Sequence, residues 1–554
     1  MCSMFKRDDN SSIKESTITT APYGDDVTPV VDVRGLRHGA SARVATALSF
    51  TAIRPIVGFG GAALLISYAG LSAWQALVAV LAAMLLVAVV FGALASRWPV
   101  EGGVHGWARQ LTGARGGFVT GWLYLCSYLL FMTSLAYFDV QRIFYLFGLE
   151  PPTVLVANIC TAAVLLLATV ANTLTRAWVK VIALIAVAAS LIGCIGFSIA
   201  LIAGHSSRGF GDIVGSGGAD ASGAWLSGSF LVALAWASAF AFRGFEIPSD
   251  ISEEMDDAPR VVPRAMLTGL MVGGVLTIIA GISIALVVPA APKVSDELVI
   301  NPYAASVGTT VEVAMGAGAA KLLALLLVIA TFAAIAVCQL AASRTIWTMA
   351  RDRELPRSAW LVQLSPRRRL PRNAIIVVAV IGVIFPFLIS EVKTAYVLQG
   401  ASVAPLMIAF LIPLVGLLRS STRSSWKSGP FALGRWLTPI AVVAALVLLG
   451  LAVNSLWPRE QLYGRGRGLW GPVAIAVAIV ILGLVVMVWA YRSNGVHVRN
   501  HGHLDRDLDQ RVRIGHAGTC AVCHQDMAAG DEAFWNPEAQ VLICFFCDDV
   551  AADR

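Results

Sequence analysis

About twelve stretches of roughly 20 mainly apolar residues run along this chain. They lie near 45–69, 72–95, 116–147, 153–173, 178–203, 225–247, 264–289, 319–346, 373–390, 396–418, 436–456 and 470–491. Each is long enough for a helix to cross the roughly 30 Å of hydrocarbon in a bilayer. In that solvent the backbone must satisfy its own hydrogen bonds, which leaves helices for a pattern of this kind. Composition agrees: 57% of the 554 residues are hydrophobic and 14% are charged, against about a quarter charged in soluble domains. The expected fold is an all-α polytopic membrane protein with about twelve transmembrane helices.

Orientation follows from Lys and Arg in the short loops. With the amino terminus inside, the inner loops hold Arg97, Arg109 and Arg115, then Arg176 and Lys180, then Arg351, Arg353, Arg357, Arg367, Arg368, Arg369 and Arg372, and finally Arg419, Arg423, Lys427 and Arg435. The loop with Arg459, Arg465 and Arg467 disagrees. Both termini are therefore expected in the cytoplasm, with the chain in the plasma (inner) membrane. The net charge of +7 reflects this topology and gives no reason to expect nucleic acid as a partner. Residues 1–43 read as a disordered cytoplasmic tail, 44–492 as the membrane domain, 493–515 as a linker and 516–554 as a separate module. Cys126, Cys160, Cys194 and Cys338 fall within apolar spans, where cysteine behaves as a small buried hydrophobe.

Two spans are interrupted. The first, "TAIRPIVGFGGAALLISYAG", contains Pro55 and the glycines Gly58, Gly60 and Gly61. The sixth, "GSFLVALAWASAFAFRGFEIPSD", contains Gly244 and Pro248. Proline removes a helical donor and glycine permits the backbone to leave helical geometry, although glycine in membrane helices also serves close packing. Transporters built from inverted repeats place their site where two discontinuous helices meet near the midplane. Freed amides there attract a carboxylate, and freed carbonyls attract an ammonium or a cation.

Three segments, "PVEGGVHGWARQLTGARGGFVTGWLY", "AFAFRGFEIPSDISEEMDDAPRVVPRA" and "AASRTIWTMARDRELP", resemble signatures of the amino acid–polyamine–organocation permeases, closest in tone to the amino acid/choline branch. The resemblance covers about 45–490. It implies a core of five plus five helices in inverted repeats, two extra helices, and alternating access. Gly58, Phe59 and Gly60 match the family's G-x-G stretch, which exposes amides to a substrate carboxylate; Gly61 follows where an apolar residue is usual. Phe242, Gly244 and Glu246 match its F-x-G-x-E/D pattern, and Phe240 resembles a substrate gate. The acid at the Glu246 position is tied to proton sensing or gating in some members. The fifth span, "VIALIAVAASLIG", lacks the lysine of many proton-coupled relatives, so the coupling ion, H+ or Na+, is not fixed.

Two arginines depart from the family pattern. Arg243 replaces an apolar residue beside Glu246; the two either pair at the helix break or form a charge pair able to switch. Arg54 lies one turn before Gly58 and either faces the break or snorkels to the cytoplasmic boundary. If both line the cavity, the site favours an anionic substrate, or carries fixed positive charge in place of a coupling cation. Asp139 and Arg142, spaced i, i+3, read as a mutually neutralising pair. The acids Glu253, Glu254, Asp256 and Asp257 are either a solvated run or partners of Arg260, Arg264 or the region near Arg351 in an inner gate.

The tail reads "CAVCHQDMAAGDEAFWNPEAQVLICFFC". Cys520, Cys523, Cys544 and Cys547 form two C-x2-C knuckles whose spacing suits four thiolates on one Zn2+; paired redox thiols are the other reading. A small zinc-ribbon or treble-clef module needs the metal to fold, and a cytoplasmic protein is a partner it could dock. A closed four-cysteine site has no open coordination position, so no enzyme is expected. The sequence favours a secondary permease for an amino acid or related amine; the alternative is a membrane receptor signalling through the zinc tail.

Overall fold

The computed structural model describes residues 41–173, 176–214, 228–255, 257–287, 309–365, 370–421, 428–464 and 466–494, with tail pieces 510–513, 518–520, 526–527, 532–536 and 541–544. The helices run α1 (Ala42–Ile53), α2 (Val57–Ala69), α3 (Trp74–Arg97), α4 (Gly103–Leu146), α5 (Val154–Thr173), α6 (Arg176–Leu191), α7 (Ser198–His205), α8 (Phe210–Val214), α9 (Gly228–Phe240) and α10 (Ala258–Val287). They continue with α11 (Thr309–Met315), α12 (Ala317–Arg351), α13 (Ser358–Leu361), α14 (Arg372–Ile384), α15 (Val392–Ala401), α16 (Val403–Ser421), α17 (Leu437–Leu456), α18 (Glu460–Tyr463) and α19 (Gly471–Asn494).

Among the described residues, ten helical segments are long and apolar enough to cross a membrane. Two shorter apolar segments, Gly228–Phe240 and Arg372–Leu388, stand where 225–247 and 373–390 were expected. The first is short because its backbone unwinds after Phe240, where Phe242 and Gly244 take positive φ of 58° and 88°. The second tightens into a 3-10 turn, Phe385–Leu388, at Pro386. Apolar side chains such as Leu167, Ile185, Leu446, Ile481 and Trp489 are exposed on the outside of the bundle. That inverts a soluble surface and suits lipid. The chain is a polytopic α-helical membrane protein.

Both interrupted spans are interrupted in the structure. Arg54 adopts left-handed φ 54° and ψ 69° at the end of α1, and Pro55 follows before α2 begins at Val57. The sixth span is irregular from 241 to 246 and resumes as the 3-10 segment Ile247–Glu254. Gly244 sits where a Cβ would stand 2.5 Å from the Ala52 Cβ, so the broken segment lies directly against α1. At the core, α4 and α12 pack along one another, and α10 packs against α1, α2 and α3. One further break lies in α4: Gly113, at φ 79° and ψ −179°, separates residues 103–112 from the longer apolar part. The first part was expected as loop.

The tail forms a unit of its own, distinct from residues 36–496. Its strands are β1 (Gln510–Arg513), β2 (Gly518–Thr519), β3 (Asp526–Met527), β4 (Glu532–Asn536) and β5 (Val541–Cys544). An antiparallel sheet has the order β1-β4-β5, and β2 pairs with β3. β1 falls in the stretch expected as linker and pairs with β4, Val512 opposite Ala533. Cys520 is buried directly after β2, and Cys544 closes β5 opposite Ala533. Each C-x2-C thus begins at a strand end; Cys523 and Cys547 lie outside the described residues.

Candidate functional site

The two breaks meet through Arg54. Its side chain is buried, and an Nη atom donates to the Phe240 carbonyl at 3.0 Å. It does not snorkel. A carbonyl freed where α9 ends is thereby given a guanidinium partner, as a buried acceptor requires. The Arg54 guanidinium also lies 4.8 Å from the Phe131 ring centroid on α4.

Arg243 uses the same ring, 4.1 Å from the Phe131 centroid. It donates to Ser402 Oγ at 2.7 Å, to the Ser402 carbonyl at 3.1 Å and to Ser127 Oγ at 3.2 Å. Glu246 is bonded elsewhere: it accepts from the Gly244 amide at 3.1 Å and from the hydroxyls of Tyr128 and Tyr124. Tyr124 lies 2.8 Å from Asp250 as well, and its one hydroxyl proton serves only one carboxylate at a time. Among the described residues no ion pair within 4 Å joins Arg243 to Glu246. Their expected pairing is replaced by two separate polar clusters on α4.

The glycines of the first break divide by direction. A Cβ on Gly58 would stand 2.6 Å from the Thr277 carbonyl oxygen, so this glycine admits α10. Phe59 is fully buried and meets Phe197 edge-on at 6.3 Å. Gly60 and Gly61 instead line a small cavity with Val57, Leu64, Leu135, Phe138, Arg142, Trp236, Phe240, Thr331, Tyr396 and Gln399. Its volume is about 40 Å³, room for one or two waters at about 30 Å³ each. The Phe240 ring occupies the space over Gly61, where a Cβ would overlap it. Of the ten expected site residues, Gly60, Gly61 and Phe240 line this cavity; Arg54, Gly58, Phe59, Phe242, Arg243, Gly244 and Glu246 are not among its lining residues. The larger groove beside α5 and α14, about 570 Å³, is walled by apolar groups such as Leu166, Ile376 and Val380 on the outside of the bundle.

Arg142 was expected only to neutralise Asp139. The pair forms at 2.7 Å, but Arg142 also reaches the cavity, its second Nη 3.7 Å from where a Gly60 Cβ would stand. Asp250, Tyr124, Tyr128, Arg142 and Trp236 were not singled out beforehand as site residues. Asp250 lies inside a quoted motif, and that was its available signal.

A second cluster joins the three quoted motifs at one end of the bundle. Arg344 on α12 contacts Glu101 at 3.4 Å and Glu254 more closely. Arg351 holds Glu253 at 3.2 Å, and Glu253 accepts the Glu101 amide at 3.0 Å. Nearby, Glu354 receives Arg109 at 2.6 Å and His105 at 2.8 Å, and Arg109 also contacts Asp352 at 3.4 Å. Gly102, at φ 77°, packs against Thr348, its missing Cβ 2.6 Å from Oγ1. Of the acids expected in this region, Glu253 pairs with Arg351 as anticipated and Glu254 with the unanticipated Arg344. Asp257 pairs with Arg260 in an exposed contact at 3.3 Å, and Asp256 lies outside the described residues. Burial holds the Glu101 carboxyl well above the ordinary value of 4.5, with Arg344 opposing and Glu253 and Glu254 adding to the rise.

Among known proteins, an uncharacterized transporter of Mycobacterium tuberculosis is 28% identical over 396 residues, covering 68% of this chain and 80% of its own. The low-affinity putrescine importer of Escherichia coli is 26% identical over 337 residues, 58% of this chain and 69% of its own. An uncharacterized amino-acid permease of Schizosaccharomyces pombe is 26% identical over 222 residues, 40% of this chain and 38% of its own. The match spans about two fifths of the length of such fungal relatives. The sequence profile described as amino acid permease matches residues 43–486, which takes in both breaks, the cavity and the ionic cluster. By that match the chain belongs to the amino acid permease family.

Proposed function

We propose that this chain is a secondary active transporter that carries an amino acid or related amine across the plasma membrane by alternating access. The observation that carries the reading is the joining of two interrupted helices around one cavity, with Arg54 bridging to the Phe240 carbonyl at 3.0 Å. Helix breaks buried in a membrane protein are tolerated where they line a site. In this reading Phe240 is the gate and Arg54 supplies fixed charge at the carbonyl end of the break. Arg243 and Glu246 hold the breaks against α4, and Gly58 and Phe59 seat them against their neighbours.

The cluster of Glu101, Glu253, Glu254, Arg344 and Arg351 acts as the inner gate, with the twelve crossings and both termini oriented as the basic loops imply. The five-plus-five repeat is part of the same proposal, and the coupling ion is left open. In the tail, Cys520, Cys523, Cys544 and Cys547 hold one structural Zn2+. The hairpin ends that carry Cys520 and Cys544 favour this, and the module offers a docking surface for a cytoplasmic protein.

The test is uptake by the purified full chain in proteoliposomes, using a panel of acidic, neutral and basic amino acids, choline and polyamines. Concentrative uptake or exchange of any member is expected. Ligand binding with no flux would return the receptor reading.

A further inference from the structure

We propose that the groove between α5 and α14 is a binding site for one anionic phospholipid, with the lipid phosphate on Arg372 and an acyl chain along the α14 wall. Any lipid wets an apolar outer face, so the assignment depends on what sets this groove apart. Residues of α14 from Arg372 to Ile384 line it at the spacing i, i+3, i+4, i+7, i+8, i+11 and i+12, which is one helix face. Leu166, Thr169 and Thr173 form the wall on α5. Leu166, Ile376, Val380 and Ile384 are 41–55% exposed, so nothing among the described residues covers the groove.

Its dimensions fit one lipid chain. The helix rise from Arg372 to Ile384 is about 18 Å, close to the roughly 15 Å of hydrocarbon that one leaflet contributes to a bilayer. The volume of about 570 Å³ falls within the range of about 300–1,000 Å³ for small-molecule sites. A helix about 10 Å across would need on the order of 1,400 Å³ over that length, so a second protein segment does not fit inside.

Charge gathers at one end of the groove. Arg372 is exposed and has no ion pair among the described residues, whereas Arg109, Arg344 and Arg351 all face acids. Asn373 ties this end to α13, its side-chain amide donating to the Trp360 carbonyl at 2.7 Å, so it lies near the basic and acidic motif that ends just before α13. Arg372 is also the first residue of α14, whose first turn has no side-chain cap. Exposed amides and the positive end of the helix dipole disfavour a lone cation there and favour an anion beside it. Ser365, which also lines the groove, accepts the Leu370 amide on Oγ at 3.2 Å and keeps its hydroxyl proton for another acceptor. A phosphodiester offers the guanidinium two acceptor oxygens, and basic pockets between membrane helices select anionic headgroups in this way. A zwitterionic headgroup brings a cation as well, and none of the lining residues is an acid that could pair with it.

The test uses the purified full chain in detergent and reads thermal stabilisation, together with lipid adducts in native mass spectra, on adding dioleoylphosphatidylglycerol, dioleoylphosphatidylcholine or glycerol phosphate. Phosphatidylglycerol is expected to act at a concentration about tenfold or more below that of phosphatidylcholine, the scale of one charge-assisted contact. Arg372→Gln should bring that ratio close to one while phosphatidylcholine still binds, and Arg372→Lys should keep part of the preference. Ala379→Phe, which fills the groove, should weaken both lipids. Each variant is compared with its own lipid-free unfolding temperature, so a change in fold stability alone does not alter the ratio. Equal potency of the two lipids on the parent chain, or a preference that survives Arg372→Gln, would overturn the proposal. So would glycerol phosphate acting at the same concentration as the lipid, which would mark an anion site without a place for the chain. A dimer that Ala379→Phe disperses would assign the groove to a second copy instead.

Discussion

Arg54 at the end of α1 donates to the carbonyl of Phe240 at the end of α9, 3.0 Å away and 186 residues distant in the chain. Its Nε and other Nη have no partner, so the guanidinium is only partly satisfied where it is buried. Arg54→Met removes one charge-assisted bond and a ring contact worth about 0.5–2 kcal/mol, but also relieves a buried charge. Thermal stability in detergent should shift by no more than about 2 kcal/mol, whereas uptake should fall at least about tenfold. Unchanged uptake would remove Arg54 from the transport cycle.

Gly58 and Gly61 should fail differently. Gly58→Ala drives a methyl against the Thr277 backbone oxygen, which cannot turn aside; a loss of about 1–3 kcal/mol is expected. Gly61→Ala meets the tip of the Phe240 ring, a side chain that as a gate would swing aside, so KM should change with little loss of stability. Equal destabilisation by both variants would argue that Phe240 is fixed packing and not a gate.

The ionic clusters permit a stability contrast. Arg344 is buried between Glu101 and Glu254, and Arg344→Gln removes the guanidinium that faces both acids at a cost of about 3–5 kcal/mol. Arg260→Gln breaks an exposed pair and should cost less than about 1 kcal/mol. Thermal unfolding of the two purified variants measures both, and a mild Arg344→Gln would mean that water reaches this cluster freely.

Glu101 sets a direction for pH. Its carboxyl is raised in the folded chain, so above the ordinary value of 4.5 the unfolded chain has released a proton that the folded chain still holds. That contribution is fully favourable below 4.5 and fades as pH climbs toward the raised folded value. Glu101→Gln should therefore flatten the decline in stability from pH 5 upward and gain relative to the parent at alkaline pH. A variant that loses stability equally at every pH would show that the carboxylate is held ionised by Arg344.

For the tail, metal analysis of the purified full chain should find about one zinc per chain. Replacing Cys520 and Cys544 with serine should abolish it, and deleting 500–554 should leave uptake in place. A parent protein free of zinc after purification without chelators would favour the redox reading.

The spans were legible because twenty apolar residues in a row admit few structures, and Pro55, Gly244 and Pro248 marked both breaks. Direction was not legible. Gly58, Gly60 and Gly61 look alike in sequence, yet one faces α10, one Arg142 and one Phe240. Only the positions of three other helices separate them. The same holds for the acids: Glu253 and Arg351 were readable as partners, but Arg344 looked like one residue in an apolar run, and Asp352 and Glu354 gave no hint that His105 and Arg109 would meet them. Arg142 was correctly paired with Asp139 by its i, i+3 spacing, and that local explanation hid its second contact across the bundle.

Phe131 lies within 5 Å of two guanidiniums, Arg54 from one broken helix and Arg243 from the other. Each guanidinium is attracted to the same ring while repelling the other, so neither can swing away without changing the field felt by its twin. The ring thus works as a common bearing. In the proposed transport cycle, a tilt of either broken helix would be felt at the other through this single side chain on α4.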